Sequence, residues 1–263
     1  MRSVITLLCF VFLTKVNGQT LDEKGRKQGY WKKTDETTKK LIYEGEFKEG
    51  VPVGVFKYYY PNDSVRALMT FRNAGKTAFA RLFHMNGKPM ALGKYVGKEI
   101  KDSVWTYFDE GGVLISRDSY KMGKKEGVCF VYLPDGGKSQ ERTYKNDFPH
   151  GEYKEYFDGY HLRSKGQYIA GNLDGRIVYY YPNGIEAAAG YYRNGKKNGP
   201  WIYKTESGKI REKELYKNGK LATEKETTDF FSKNPVQDKT KETKPVKSTS
   251  ASKSKKPLEV NHE

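Results

Sequence analysis

The stretch GKKNGPWIY at residues 195–203 decides the fold, because its outline keeps returning along the chain. Two glycines four residues apart precede an aromatic or aliphatic run. The same outline is read as GNLDGRIVY at 171–179, GKKEGVCFV at 123–131 and GVPVGVFKY at 50–58. Self-similarity at a fixed period is the sequence signature of a repeat architecture. The chain is therefore predicted to stack copies of one small unit.

The repeat has a period of 24 to 25 residues. The slot of the second glycine holds Gly29, Gly54, Phe79, Asp102, Gly127, Gly151, Gly175 and Gly199. An aromatic marker closes the units at Phe71, Tyr95, Tyr120, Tyr144, Tyr168, Tyr192 and Tyr216. The degenerate first unit near Gly25 and the last one, which stops at Gly219, are expected to act as caps.

Each unit reads as one β-hairpin. Apolar residues two apart, such as Ile177, Tyr179 and Tyr181, lie on one face of a strand. Asn183-Gly184 then accepts the positive φ angles of a tight turn. We predict an all-β fold, an elongated antiparallel β-meander with a single-layer sheet on the order of 75 Å long. A propeller that places two units in each four-stranded blade is the alternative.

The outline Gly-x-x-x-Gly-x-aromatic-x-x-Tyr-x-x-Asn-Gly resembles MORN-type repeats, above all the bacterial YwqK-like variant, over Gly25 to Gly219. The pattern breaks at Phe79–Arg81 and around Lys101–Trp105, where we expect a bulge or bend. The resemblance implies a non-catalytic scaffold close to a membrane or in contact with lipid. For the YwqK-like group it also implies, as an alternative, the antitoxin of a toxin–antitoxin pair.

Three regions are predicted along the chain. Residues 1–18 read as a signal peptide, with Arg2 before an apolar core that is too short to span a bilayer; an uncleaved anchor is the alternative. Residues 19–223 form the repeat domain of about eight units. Residues 224–263, rich in Lys, Ser, Thr and Pro, are predicted to be disordered, except that Phe230-Phe231 could cap the last hairpin. The protein is thus expected to be exported, to the periplasm, the cell envelope or the extracellular space.

The net charge of +16 comes mainly from the repeats, because lysines and acidic residues nearly balance in the tail. The residue after the first glycine of the outline is often basic, and in a stacked meander these turns share one edge. The predicted anion-binding ridge is Arg26, Lys76, Lys98, Lys124, Lys196 and Lys220. Outside the cytoplasm its partner is expected to be a protein, anionic lipid or acidic glycan, with peripheral membrane contact and without nucleic acid. Ordinary solvated turns are the alternative explanation.

Tyrosine is unusually frequent, with 21 tyrosines against 13 phenylalanines and 3 tryptophans. A candidate aromatic face comprises Phe56, Tyr58, Tyr60, Trp105, Tyr153, Tyr179, Tyr181, Trp201 and Tyr203. These rings could stack on sugars or on a partner, although packing between hairpins is the commoner use of such stripes.

No catalytic or cofactor site is predicted. His84, His150, His161 and His262 are scattered without metal-ligand spacing. Cys129 occupies a position where other units place large apolar residues, so we expect a small buried hydrophobe there. The sequence thus predicts a protein that is not an enzyme, has no cofactor or bound metal, and has an oligomeric state that the repeats do not define.

Overall fold

A computed structural model describes residues 18–236. The predicted signal peptide, apart from Gly18, and the tail after residue 236 lie outside the described residues. The strands are β1 (Thr20–Leu21), β2 (Lys27–Thr34), β3 (Leu41–Lys48), β4 (Val51–Tyr59), β5 (Val65–Arg72), β6 (Thr77–Phe83), β7 (Pro89–Val96), β8 (Ile100–Phe108), β9 (Leu114–Lys121), β10 (Lys124–Lys125), β11 (Gly127–Tyr132), β12 (Lys138–Lys145), β13 (Phe148–Gly159), β14 (Leu162–Ile169), β15 (Asn172–Leu173), β16 (Gly175–Tyr180), β17 (Glu186–Arg193), β18 (Lys196–Lys197), β19 (Gly199–Lys204), β20 (Ile210–Lys217) and β21 (Lys220–Leu221). One helix, α1 (Glu224–Lys233), follows them.

The strands form one antiparallel 21-stranded sheet, in which pairing follows the order of the chain. The longer strands make eight hairpins, from β2–β3 to β19–β20, and the short strands lie beside the turns between them. The hairpin tips use the predicted chemistry: Gly184 has φ +82°, and the Asn183 side chain accepts a hydrogen bond from the Ile185 N–H at 3.0 Å. The predicted all-β hairpin meander with a single-layer sheet is confirmed.

Six of the seven junctions between successive hairpins contain a two-residue bulge. At the last junction Ala189 pairs with Ile202 and Tyr192 pairs with Lys197, so two residues of β17 face four residues of the next hairpin. The bulge needs a left-handed residue, which Gly199 supplies with φ +80°. The second glycine of the outline is therefore a bulge residue, because glycine adopts positive φ without a steric penalty.

One expectation about these bulges is wrong. In the fourth unit Asp102 only roughly fills the glycine slot, and the left-handed residue there is its neighbour Ser103, with φ +63°. The predicted irregularity around Lys101–Trp105 is present, but at Phe79–Arg81 β5 and β6 pair without any register shift. Phenylalanine does not readily adopt positive φ, so the third unit keeps a regular ladder where the others bulge.

Most of the core lies on one face of the sheet, called the aromatic face because the predicted aromatic residues point to it, whereas Val178, next to Ile177 in β16, is buried on the opposite face. Phe56, Trp105, Ile177 and Trp201 are each no more than 1% exposed. Each of the two tryptophan rings covers a glycine of the preceding hairpin, Trp105 over Gly93 and Trp201 over Gly190, where an added Cβ would overlap the ring. A single-layer sheet thus buries its largest side chains by laying them on bare backbone.

The opposite face of the sheet, called the reverse face, carries α1 at its C-terminal end. Thr223 caps this helix by accepting a hydrogen bond from the Glu226 N–H at 3.3 Å, and Glu226 returns one by accepting from the Thr223 N–H at 3.0 Å. Phe230 and Phe231 line a shallow groove together with Ala189, Pro200 and Ile202. The prediction of disorder from residue 224 is wrong for 224–233, because the capping box and the two phenylalanines fix a helix there.

Candidate binding surfaces

The turns between hairpins stack on one edge of the sheet and are fixed to one another. The N–H of the turn glycine donates to a carbonyl of the preceding turn, as from Gly219 to Lys197 at 2.7 Å and from Gly195 to Leu173 at 2.8 Å. The same bond joins Gly171 to Pro149 at 2.8 Å. The edge is therefore a rigid backbone ladder, and side chains on it keep a fixed spacing.

A second set of bonds locks these turns, and sequence reasoning missed it. The residue before the bulge glycine offers a side-chain acceptor to a turn N–H of the following unit. Asn198 accepts from the Asn218 N–H at 3.1 Å and Asp174 accepts from the Asn194 N–H at 3.0 Å. His150 fills this position with Nδ1 at 3.3 Å from the Ala170 nitrogen. The recurrence of Asp, Glu, Asn or His one residue before the slot was the available signal.

The predicted ridge lies on this edge. Lys76, Lys98, Lys124, Lys196 and Lys220 are all exposed. None of them makes an ion pair within residues 18–236. Arg26 differs, because it is half-buried and is held by Asp22 at 2.8 Å and Glu49 at 3.3 Å. The ridge therefore presents five lysines to solvent, while the charge of its first member is balanced locally.

A second row of cations reinforces the ridge. The residue after the aromatic marker ends the second strand of each unit, and it is basic at Lys48, Arg72, Lys121, Lys145, Arg193 and Lys217. Three of these face a ridge lysine directly across the turn, pairing Lys121 with Lys124, Arg193 with Lys196 and Lys217 with Lys220. Lys217 is also paired with Glu226 at 2.6 Å, so unbalanced charges oppose one another at the first two pairs. Like charges opposed in this way destabilise a sheet by roughly 0.2–1 kcal/mol. We call the ridge and this second row together the basic edge.

The rings of the candidate aromatic face are buried or half-buried by packing within the sheet. Phe56, Trp105, Tyr153 and Trp201 are at most 5% exposed, so a partner cannot reach these rings. The remaining members, Tyr58, Tyr60, Tyr179, Tyr181 and Tyr203, are half-buried. The hydroxyl groups of Tyr60 and Tyr181 donate to the Phe83 and Lys204 carbonyls of the next unit, both at 2.8 Å.

Lysine side chains cover the rings of the aromatic face on their solvent side. Lys197 Nζ lies 4.2 Å from the Trp201 ring centroid and 4.6 Å from that of Tyr216, and it donates to the Tyr203 hydroxyl at 2.9 Å. Lys101 repeats the arrangement, 5.0 Å from the Trp105 ring centroid. This position, two residues before the bulge residue, was not singled out from the sequence. The lysines at this position cover the aromatic rings. This explains how a single-layer sheet shields Trp105 and Trp201 from water.

Two tyrosines of the aromatic face, Tyr153 and Tyr203, are held in their protonated form. Burial raises the pKa of the Tyr153 hydroxyl to about 12. Burial, followed by the hydrogen bond to the Glu214 carboxylate, raises the pKa of Tyr203 well above its usual range. The Tyr203–Glu214 contact is 2.6 Å long. The Tyr203 hydroxyl therefore acts as a hydrogen-bond donor within the face, and neither hydroxyl is poised to give up a proton.

The residues considered for chemistry within residues 18–236 have structural roles, and His262 lies outside the described residues. Cys129 is buried, its Sγ accepts a hydrogen bond from the Ser119 N–H at 3.4 Å, and burial raises the pKa of its thiol. His161 Nδ1 lies 2.7 Å from Asp158 Oδ2 within a hairpin tip. Within residues 18–236 no group of His, Cys, Asp and Glu has the arrangement of a metal site. In that same span α1 is neither long nor apolar enough to cross a membrane.

Comparison with known proteins supports the repeat type. A family model described as a MORN repeat variant matches residues 52–73 and 197–218. These matches support a MORN-type repeat protein. They fall on the second and the last hairpin, β4–β5 and β19–β20.

The other comparisons add little. No curated protein matches the chain. One solved structure that matches is titled "Crystal Structure of TcdB2-TccC3-Cdc42", with 10% sequence identity and a TM-score of 0.20. The alignment covers 76% of this chain and 12% of that chain, so this protein spans about an eighth of that chain's length. A likeness at that TM-score carries no argument about function.

Proposed function

We propose that the protein is an exported, non-catalytic repeat scaffold whose basic edge holds an anionic component of the cell envelope. The observation that carries this proposal is the row of exposed lysines on a rigid ladder of turns, reinforced by like charges that oppose one another directly. Such opposition costs stability in the free protein. This repulsion between like charges is relieved when phosphate or carboxylate groups lie between the cations.

The MORN-type repeats support the scaffold part of this proposal. Each hairpin contacts only its neighbours, so the array extends a surface and does not enclose a cleft. A surface of this kind binds through many weak and equivalent contacts. Its affinity should therefore fall steeply as salt screens the charges.

The test is co-sedimentation of the protein with anionic and with neutral vesicles over a range of salt, beside binding to an acidic polysaccharide. The triple variant Lys124→Ser, Lys196→Ser, Lys220→Ser removes three exposed lysines of the basic edge. At roughly 1 kcal/mol for each lysine near an anionic surface, it should lose on the order of 100-fold in affinity. Vesicle binding without polysaccharide binding identifies lipid head groups as the ligand, and the reverse identifies a glycan.

A matched control removes the same charge elsewhere. Lys33, Lys39 and Lys209 are exposed and lie toward the hairpin tips, away from the basic edge. The variant Lys33→Ser, Lys39→Ser, Lys209→Ser should bind as the wild type does. Equal losses in both triple variants, or equal binding to neutral and anionic vesicles, would overturn the proposal.

The YwqK-like resemblance supports a second candidate, an antitoxin that neutralises a protein partner in the cytoplasm. Cell fractionation with intact-mass measurement separates the two candidates. A mature protein that begins at Gln19 in the envelope fraction supports the exported scaffold. A protein that begins at Met1 in the cytosol supports the antitoxin.

A further inference from the structure

The reverse face has an uncovered apolar groove near its N-terminal end. Val55, Phe79 and Val104 are each 52% exposed and Leu92 is 38% exposed. Together with Leu68 they line an open depression of about 990 Å³ across β4 to β8. A contiguous exposed apolar patch on a soluble protein commonly marks an interaction site.

The rim of the groove is positively charged. Arg72, Arg81 and Lys94 contribute to its lining. Lys94 is paired with Asp102 at 2.8 Å, whereas neither arginine makes an ion pair within the described part of the chain. The groove thus combines an apolar floor with two unbalanced guanidinium groups, which favours an occupant with apolar and acidic side chains.

The other end of the same face already holds an occupant of this chemistry. The helix α1 places Phe230 and Phe231 in one shallow groove with Ala189 and Ile202. Its Glu226 pairs with Lys217 at 2.6 Å, and Lys213 Nζ lies 5.5 Å from the Phe231 ring centroid. The reverse face therefore accommodates an acidic, aromatic helix beside basic residues.

We propose that the groove docks an amphipathic α-helix of a partner protein, with acidic residues beside its apolar stripe. The groove spans five strands, or about 19 Å between the outer two, which a helix of about 13 residues covers. Its Phe79, Leu92 and Val104 meet the apolar stripe, and Arg81 meets the carboxylates.

Occupants from this chain fit less well. The helix α1 follows β21 directly, and six full-length strands at about 4.8 Å each (β9, β11, β12, β13, β14 and β16) separate its seat from the groove. Residues 237–263 are rich in lysine, which opposes the arginines of the rim. A second copy that docks groove to groove would bring two rims of the same positive charge together.

The test uses the full-length protein and two synthetic peptides of about 16 residues. Both peptides carry the same Leu and Phe stripe at helical spacing, flanked by Glu in one and by Lys in the other. The Glu peptide should bind at least about 10-fold more tightly than the Lys peptide. Arg81→Glu should reduce or reverse that preference, and Phe79→Asp should abolish binding of the Glu peptide.

The matched control is Ile169→Asp, which introduces the same charge at a strand residue that is 49% exposed and lies outside the groove. It should bind the Glu peptide as the wild type does. Equal binding of the two peptides, no binding of either, or an unaffected Phe79→Asp variant would overturn the proposal. A dimer that Phe79→Asp dissociates would assign the groove to a second copy instead. The outcome is independent of the vesicle assay, because neither Phe79 nor Arg81 belongs to the basic edge.

Discussion

The indole ring of Trp201 lies on the backbone of Gly190, a residue of the preceding hairpin, and the Trp201 Nε1–H donates to the Tyr191 carbonyl at 3.2 Å. Trp105 lies on Gly93 in the same way and donates to the Lys94 carbonyl at 3.1 Å. The bulge before each tryptophan carries its ring onto the neighbouring hairpin. The bulge positions the tryptophan, and the glycine beneath the ring leaves room for it. Together they couple such a unit to the unit before it.

Replacing Gly190 by alanine should destabilise the protein by about 2 kcal/mol, because the new methyl group overlaps the Trp201 ring. Gly190 is not among the residues with positive φ, so the backbone itself accepts alanine. Urea unfolding measures the change. In a Trp201→Val background the same substitution should cost far less, and an equal cost in both backgrounds would show that the ring is not responsible.

Replacing Ser103 by glycine should stabilise the protein by about 1 kcal/mol. Ser103 has φ +63° at the bulge, and a non-glycine residue in the left-handed region costs roughly 1–2 kcal/mol. Glycine removes that strain, at the loss of one exposed hydrogen bond to Asp102. The control Ser116→Gly, in the interior of β9, should change stability in the opposite direction. A destabilised Ser103→Gly variant would contradict this account of the bulge.

The hairpin meander was predictable from the sequence because glycine, Asn-Gly and aromatic residues recur at a constant spacing, and each has a local backbone reason. The bulge was harder to place where the glycine is missing. Ser103 and Phe79 both depart from the pattern, yet only Ser103 adopts the left-handed conformation. That difference depends on which side chain replaces the glycine, because phenylalanine does not readily adopt positive φ, and the period alone does not show it.

The candidate surfaces were predictable only in part. The turn lysines could be placed on one edge from the repeat alone. The aromatic stripe could not be classed as core or binding surface, since burial depends on Lys197 and Lys101 folding over the rings. The groove at Phe79 and the seat of α1 depend on contacts between residues that are distant in the chain. The alternation of apolar and polar residues within one unit therefore does not predict them.

Lys197 should tolerate an apolar replacement but not an acidic one. The equivalent position of the preceding unit is Leu173, which packs against the same aromatic cluster. We expect Lys197→Met to change the free energy of unfolding by less than about 1 kcal/mol. The methionine side chain still covers the aromatic rings, and only the cation–π contact is lost. Lys197→Glu should cost about 2 kcal/mol or more, because its carboxylate faces the Glu214 side chain bound to Tyr203 and Tyr216. Thermal and urea unfolding compare the two, and equal losses would show that the charge is irrelevant.

The protein should lose stability between about pH 10 and pH 12. Burial raises the pKa of Tyr153 to about 12, and burial together with a bonded carboxylate raises those of Tyr59 and Tyr156 to about 12. An unfolded tyrosine has a pKa of about 10, so above that pH the unfolded state loses protons that the folded state retains. The stabilisation is therefore complete below pH 10 and is lost as the pH rises through the folded-state values.

Urea unfolding at a series of alkaline pH values, combined with the ultraviolet absorbance of tyrosinate, measures this loss. Tyr153→Phe should make the fall of stability with pH shallower, because one proton that distinguishes the two states is gone. Tyr160→Phe, which removes the hydroxyl group of a residue that is 86% exposed, should leave the slope unchanged. Tyrosines that ionise in the folded protein at their unfolded pKa, with no change in stability, would contradict the burial of these hydroxyl groups.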